Sequence, residues 1–125
     1  MPHQHHVAGY ENFLQKMKEF QGNQEVYVYY GGSKDANGLS WCDDCVKAWP
    51  NIKSAVEKYL NPNAHFVYVE VGDRPTWKDM NCPFRLDKNT RLLQLPTLAK
   101  WLGPERLEGE QCEKFELLEL LFGDE

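Results

Sequence analysis

The chain has 125 residues, 42% of them hydrophobic and 26% charged, the balance of one folded globular domain rather than a disordered or fibrous chain. Its net charge of -5 gives no basic footprint for nucleic acid, because phosphate neutralisation needs clustered Lys and Arg and the basic residues here lie among acids. The first twenty residues carry no apolar run of the signal-peptide kind, and nothing later approaches the roughly 18 apolar residues of a membrane span, so a cytosolic protein without membrane contact is expected.

Residues 1–8 read as a solvated, flexible tail or as an edge strand, with metal capture by His3, His5 and His6 as the competing use of that segment. Tyr10, Phe13, Leu14, Met17 and Phe20 then recur at helical spacing, and the stop at Gly22 and Asn23 predicts an amphipathic helix over residues 11–21. Residues 25–30 hold the run Val26, Tyr27, Val28, Tyr29, Tyr30, apolar on both faces, as a centrally buried strand requires. A polar, glycine-rich loop over residues 31–40 follows and ends at Trp41 and Cys42. From Asp43 the pattern is helical through Val46, Ala48, Trp49, Ile52, Val56, Tyr59 and Leu60, with a kink expected just before Pro50. Residues 64–71 form a second strand through Phe66, Val67, Tyr68, Val69 and Val71. Strand, helix and strand at this spacing imply a right-handed crossover and parallel pairing. Residues 72–90 read as loop with one or two short helical turns. Residues 92–101, a turn at Gly103 and Pro104, and a partner at Arg106 and Leu107 read as a β hairpin, and residues 111–122 as a last amphipathic helix.

Cys42, Asp43, Asp44 and Cys45 carry the chemistry, because they follow a strand and a loop and open a helix. A two-residue gap within a helical turn holds two sulfurs within bonding reach, so a mixed disulfide made by the first can be resolved by the second. The free amides and partial positive charge of the helix start favour a thiolate at Cys42, while Cys45, one turn in, is the resolving thiol. Pro96, between Leu95 and Thr97 at the head of an apolar strand, suits a cis turn that sets backbone groups against Cys42. Trp41 offers a flat apolar surface beside the nucleophile. Zinc binding is the rival use of the pair, but a tetrahedral site wants four ligands, and Cys82 and Cys112 form no second close pair. Those two cysteines read as reduced and partly buried, or as a regulatory or intermolecular pair. Trp49, Trp77 and Trp101 read as core or cap packing.

Residues 30–45, Tyr-Gly-Gly-Ser-Lys-Asp-Ala-Asn-Gly-Leu-Ser-Trp-Cys-Asp-Asp-Cys, resemble the signature of the small thioredoxin-related proteins called thioredoxin domain-containing protein 17, in which a Gly-Ser-Lys-Asp loop leads into Trp-Cys-Pro-Asp-Cys. Residues 71–79 (Val-Gly-Asp-Arg-Pro-Thr-Trp-Lys-Asp) and the Leu95-Pro96-Thr97-Leu98 segment resemble two further stretches of that family. The resemblance implies an α/β thioredoxin fold, a central mixed sheet with helices on both faces. It also implies a protein-disulfide reductase with Cys42 as nucleophile, Cys45 resolving, Pro96 cis after Leu95, and the loop Gly32 to Ser40, with Ser33, Lys34 and Asp35 in it, restricting access. Re-reduction by thioredoxin reductase, with NADPH as ultimate donor and no cofactor bound by the fold itself, is implied too. So is action on selected protein disulfides, cystine and nitrosylated thiols, by a molecule expected to be monomeric.

Asp43 stands where that family has Pro, while Asp44 matches it. A carboxylate next to Cys42 opposes the thiolate by like-charge repulsion and predicts a more reducing pair than the Pro version. Thioredoxins proper tend to bury an acid in the strand below the dithiol; none follows Glu25, leaving Asp44 or Asp35 as weak substitutes. The rival function is a binding adaptor that uses Trp41, Pro96 and the loop, with an attenuated dithiol.

Overall fold

Two apolar runs form the centre of the sheet. In the computed structural model, which describes residues 2–123, β2 (Val26–Gly31) is buried at every position and β3 (His65–Glu70) at its four inner ones. They pair in parallel, Val28 opposite Val67, because the connecting α2 (Asp43–Tyr59) packs back on the sheet as a crossover. β4 (Thr97–Lys100) adds antiparallel to the other side of β2, with Tyr30 opposite Thr97, and β5 (Arg106–Glu108) pairs with β4 as the hairpin partner. The outer edge is β1 (His3–Ala8), parallel to β3, which gives the order β1-β3-β2-β4-β5.

Alternation along β2 and β3 feeds two cores. On one face Tyr27, Tyr29, Phe66 and Tyr68 meet Ala48, Ile52 and Val56 of α2, and Leu118 and Phe122 of α5 (Phe115–Gly123). On the other, Val28, Tyr30, Val67 and Val69 meet Phe13 and Met17 of α1 (Tyr10–Met17), Trp77 of α3 (Arg74–Lys78) and Phe84 of α4 (Pro83–Leu86). Helices thus cover both faces of a mixed sheet, as a thioredoxin fold requires. Trp49, Trp77 and Trp101 all take packing roles. Among the described residues no helix is long and apolar enough to cross a membrane.

Two helices differ from the sequence expectation, and of the two alternatives for residues 1–8 the structure shows one. The histidine-rich start is the edge strand, not a flexible tail: His6 Nε2 lies 2.6 Å from Glu70 Oε2 and His5 Nε2 3.0 Å from His65 Nδ1. Main-chain pairing with β3 orders a segment whose polar side chains gave no burial pattern. Nor do those histidines converge on a metal position, for among the described residues no group of three His, Cys, Asp or Glu is placed to hold one. α1 ends at Met17 rather than near residue 21, because the chain tightens into three-residue turns, Glu19 N–H to Lys16 O and Phe20 N–H to Met17 O. α2 is one helix from Asp43 to Tyr59 with Pro50 inside it. The last helix starts late because Gly109–Glu113 forms a 3-10 turn closed by a reciprocal Glu108 and Gln111 capping box, with Cys112 buried beneath it.

Candidate active site

The end of β2 and the start of α2 bring the two cysteines together. Cys42 is the N-cap of α2 in extended conformation, and Cys45 lies one turn in; they form a disulfide with Cα atoms 5.2 Å apart. The Cys45 amide donates to Cys42 Sγ at 3.2 Å, so a helix-start N–H points at this sulfur, an arrangement that favours negative charge there. Cys42 retains 7% of its surface and Cys45 2%; what exposure there is belongs to Cys42. That sulfur residue opens into a cleft of about 460 Å³ lined by Trp41, Asp43, Asp44, Arg74, Trp77, Lys78, Leu93, Gln94 and Leu95. Its two sides are of opposite charge, Asp43 and Asp44 from α2 facing the side that holds Arg74 and Lys78 of α3.

The Leu95-Pro96 bond is cis, as the strand-head position of Pro96 suggested, and Leu95 shares the cleft with Cys42. Ser40 holds the entry to α2: its Oγ donates to Gly32 O at 2.8 Å and accepts from the Cys42 amide at 3.1 Å. Trp41 is fixed from the other side, its indole Nε1 donating to Gly72 O at 2.9 Å, and the Arg74 guanidinium lies 5.2 Å over its ring. Gly72 is tied in turn by Ser33, whose amide donates to Gly72 O while its Oγ accepts from the Gly72 amide, both at 2.9 Å. Residues 71–74 therefore carry the platform on which Trp41 stands. Gly72 has φ +126, and a side chain there would lie 2.8 Å from Thr76 Cγ2. Asp73 caps α3 through Thr76, and this hydrogen bonding holds its carboxyl below the usual range.

The loop residues separate into different roles. Asp35 Oδ1 accepts from the amides of Asn37 and Leu39, so its carboxylate shapes its own loop and lines neither cavity beside the dithiol. Lys34 bridges to Ser40 through the backbone and sets its ammonium 4.9 Å over the Tyr68 ring. No carboxylate among the described residues is buried, Thr90 and Thr97 being the buried polar side chains. Asp44 is exposed at the cleft and Asp35 is turned away, so the proton-handling position beneath Cys45 holds no acid. Cys82 and Cys112 are free and buried. Burial pushes the Cys112 thiol up to about 12, with Glu108 adding to the shift, and its S–H donates to Leu107 O.

Arg74, Lys78, Leu93 and Gln94 line the cleft without having been singled out by pattern reasoning, whereas Gly32 and Ser40, the ends of the expected access loop, hold the start of α2. Ser40 carried a usable signal, a hydroxyl just ahead of a helix start. Leu93 and Gln94 precede the cis proline, whereas Arg74 and Lys78 reach the cleft only through the tertiary placement of α3.

A mixed five-stranded sheet with helices on both faces, a cis proline at the head of β4 and a disulfide across the first turn of the crossover helix define a thioredoxin-like domain with a redox cysteine pair. Comparison with known proteins narrows the class. Residues 6–124 match the family model described as Thioredoxin domain-containing protein 17-like, thioredoxin domain, and the chain belongs to that family. It is 38% identical over 119 residues to Thioredoxin domain-containing protein 17 of Homo sapiens, covering 95% of this chain and 94% of that one. The figures for the Danio rerio protein of the same name are 39% over 119 residues, with the same coverage. Thioredoxin-like protein Clot of Arabidopsis thaliana is 32% identical over 108 residues, 82% of this chain and 80% of that one.

Proposed function

We propose that this chain is a cytosolic protein-disulfide reductase working through Cys42 and Cys45. The Cys42 thiolate attacks one sulfur of a substrate disulfide; that S–S bond breaks, its electron pair leaves on the second substrate sulfur, and a mixed disulfide forms on Cys42. Cys45, deprotonated, attacks Cys42 Sγ, the mixed bond breaks, and the first substrate sulfur departs as thiolate. The substrate gains two electrons and two protons, and the Cys42–Cys45 bridge remains. A flavin reductase of the thioredoxin reductase type, drawing on NADPH, returns the pair to the dithiol. The substrates are selected protein disulfides, cystine and nitrosylated thiols, and the fold itself binds no cofactor.

The observation that carries this reading is the Cys45 amide aimed at Cys42 Sγ beside a cleft that the cis-proline segment also lines. The cover on Cys42 fits selectivity: with 7% of its surface left, an incoming disulfide reaches sulfur through the cleft that Trp41 and Leu95 help to line. NADPH consumption with thioredoxin reductase and cystine is the test. Turnover abolished by Cys42→Ser supports the reductase; no turnover, with a partner still held through Trp41 and Pro96, supports an adaptor.

A further inference from the structure

A second cavity borders the dithiol at Cys45, whereas the substrate cleft borders Cys42. It has a volume of about 180 Å³ and lies between the loop ending at Ser40 and α2. Three rings in mutual contact build its wall: Tyr29 and Tyr68 centroids are 4.8 Å apart, Trp49 and Tyr68 4.8 Å, Tyr29 and Trp49 5.2 Å. Leu39 and Val46, exposed at 59% and 42%, form its lip. An apolar cavity of about 150 Å³ holds one benzene ring, so the space here matches a single ring with a small substituent.

Ser40 aside, whose hydroxyl bonds Gly32 O and the Cys42 amide, the polar side chains around it lack hydrogen-bond partners. Tyr29 retains only 1% of its surface, yet its hydroxyl makes no hydrogen bond among the described residues. No fully buried side-chain oxygen there lacks a partner, so that hydroxyl opens into the cavity its residue lines. The Tyr68 hydroxyl is likewise unbonded, and the Lys34 ammonium above the Tyr68 ring pairs with no carboxylate among the described residues. Glu70 is already occupied by His6 Nε2 and the Lys34 backbone amide, and Asp35 by two amides of its own loop. Aromatic walls, a phenol donor and an unpaired cation together call for an apolar ring carrying an acceptor of negative charge.

We propose that this cavity binds a single-ring aromatic carboxylate, its ring against Tyr29, Trp49 and Tyr68 and its carboxylate toward Lys34. The occupant lies against the resolving cysteine and leaves the substrate cleft open. Benzoate is the probe, titrated into the full oxidised chain by calorimetry and amide NMR, with benzyl alcohol as the uncharged comparison. One saturable site of about millimolar affinity is expected, centred on Val46 and Trp49, with benzyl alcohol about tenfold weaker. Lys34→Gln lowers benzoate affinity to the benzyl alcohol level, and Tyr29→Phe weakens both probes about threefold. The comparison of the two probes on the unmodified chain stands even where a variant fails to fold. Absence of saturable shifts at about 20 mM benzoate, shifts centred on Trp41 and Trp77, or equal affinity for the two probes overturns the proposal.

Discussion

Replacing Gly32 by Ala tests how closely the β2 exit is fitted to the dithiol. A Cβ at this position would lie 2.7 Å from Trp41 Cε2, 2.9 Å from Trp41 Nε1 and 3.0 Å from Cys42 Cβ. None of these atoms is free to yield: the indole nitrogen is bonded to Gly72 O at 2.9 Å, and Cys42 is held by Ser40 and by its bridge to Cys45. Overpacking of this kind costs about 1–3 kcal/mol, and loss of the indole hydrogen bond about 1 kcal/mol more. The sum, about 2–4 kcal/mol, is read from the urea midpoint at unchanged slope. Gly22→Ala is the control, since nothing lies within 4 Å of a Cβ there and its φ is not positive; it stays within about 0.5 kcal/mol or gains slightly. In a Trp41→Ala background the Gly32→Ala penalty shrinks by about 1 kcal/mol or more, the signature of a shared contact. Equal stability of the Gly32 and Gly22 variants, or an unchanged penalty without Trp41, would refute the packing argument.

Three further outcomes follow from the site and the sheet edge. Asp43→Pro removes an exposed charge that shares the cleft with Cys42, worth at most about 1 kcal/mol in water-like surroundings; the Cys42 thiolate titrates lower by less than about one unit and the pair becomes less reducing, read by ultraviolet titration and glutathione equilibration. An unchanged or higher titration midpoint contradicts the role given to Asp43. In the reduced native protein, iodoacetamide labels Cys42 first, while buried Cys82 and Cys112 stay unmodified until urea is added; early labelling of Cys112 would deny its burial. Acidification loosens β1. Desolvation, with Lys16 nearby, lowers His5, and desolvation with His3 lowers His65, so both are neutral in the fold. The unfolded chain takes up protons first; stability is therefore full above about pH 6.5 and declines as pH falls through the lowered folded values. Amide protection factors along β1, corrected for the intrinsic pH dependence of exchange, fall as pH drops below about 6.5, and a His5→Gln, His65→Gln double variant loses that dependence. Protection factors independent of pH in the native chain contradict it.

How much could be read from the chain alone depended on which faces are buried. β2 and β3 were legible because both faces are covered, so their side chains form unbroken apolar runs. β1 was ambiguous for the opposite reason: an edge strand held by its main chain needs no apolar pattern, and the partners of its histidines, His65 and Glu70, are some sixty residues distant. The late start of α5 follows from a local competition that periodicity does not register, the Glu108 and Gln111 capping box against continued helix. At the site, the cysteine pair and Pro96 were visible because their chemistry demands a strand end, a helix start and a strand head, all local features. Arg74 and Lys78 were not, since α3 reaches the cleft through the Gly72 link to Ser33 and Trp41. Asp35, offered from the sequence only as a weak substitute for a buried acid, accepts from two amides of its own loop, a local role that the residue type alone does not reveal.

In the proposed reaction Cys42 alone meets the substrate and Cys45 releases it. Trapping with Cys45→Ser addresses this most directly: incubated with a disulfide-bonded peptide, the variant accumulates a stable adduct whose mass and peptide map place the mixed disulfide on Cys42. No adduct, or one on Cys82 or Cys112 instead, contradicts the account.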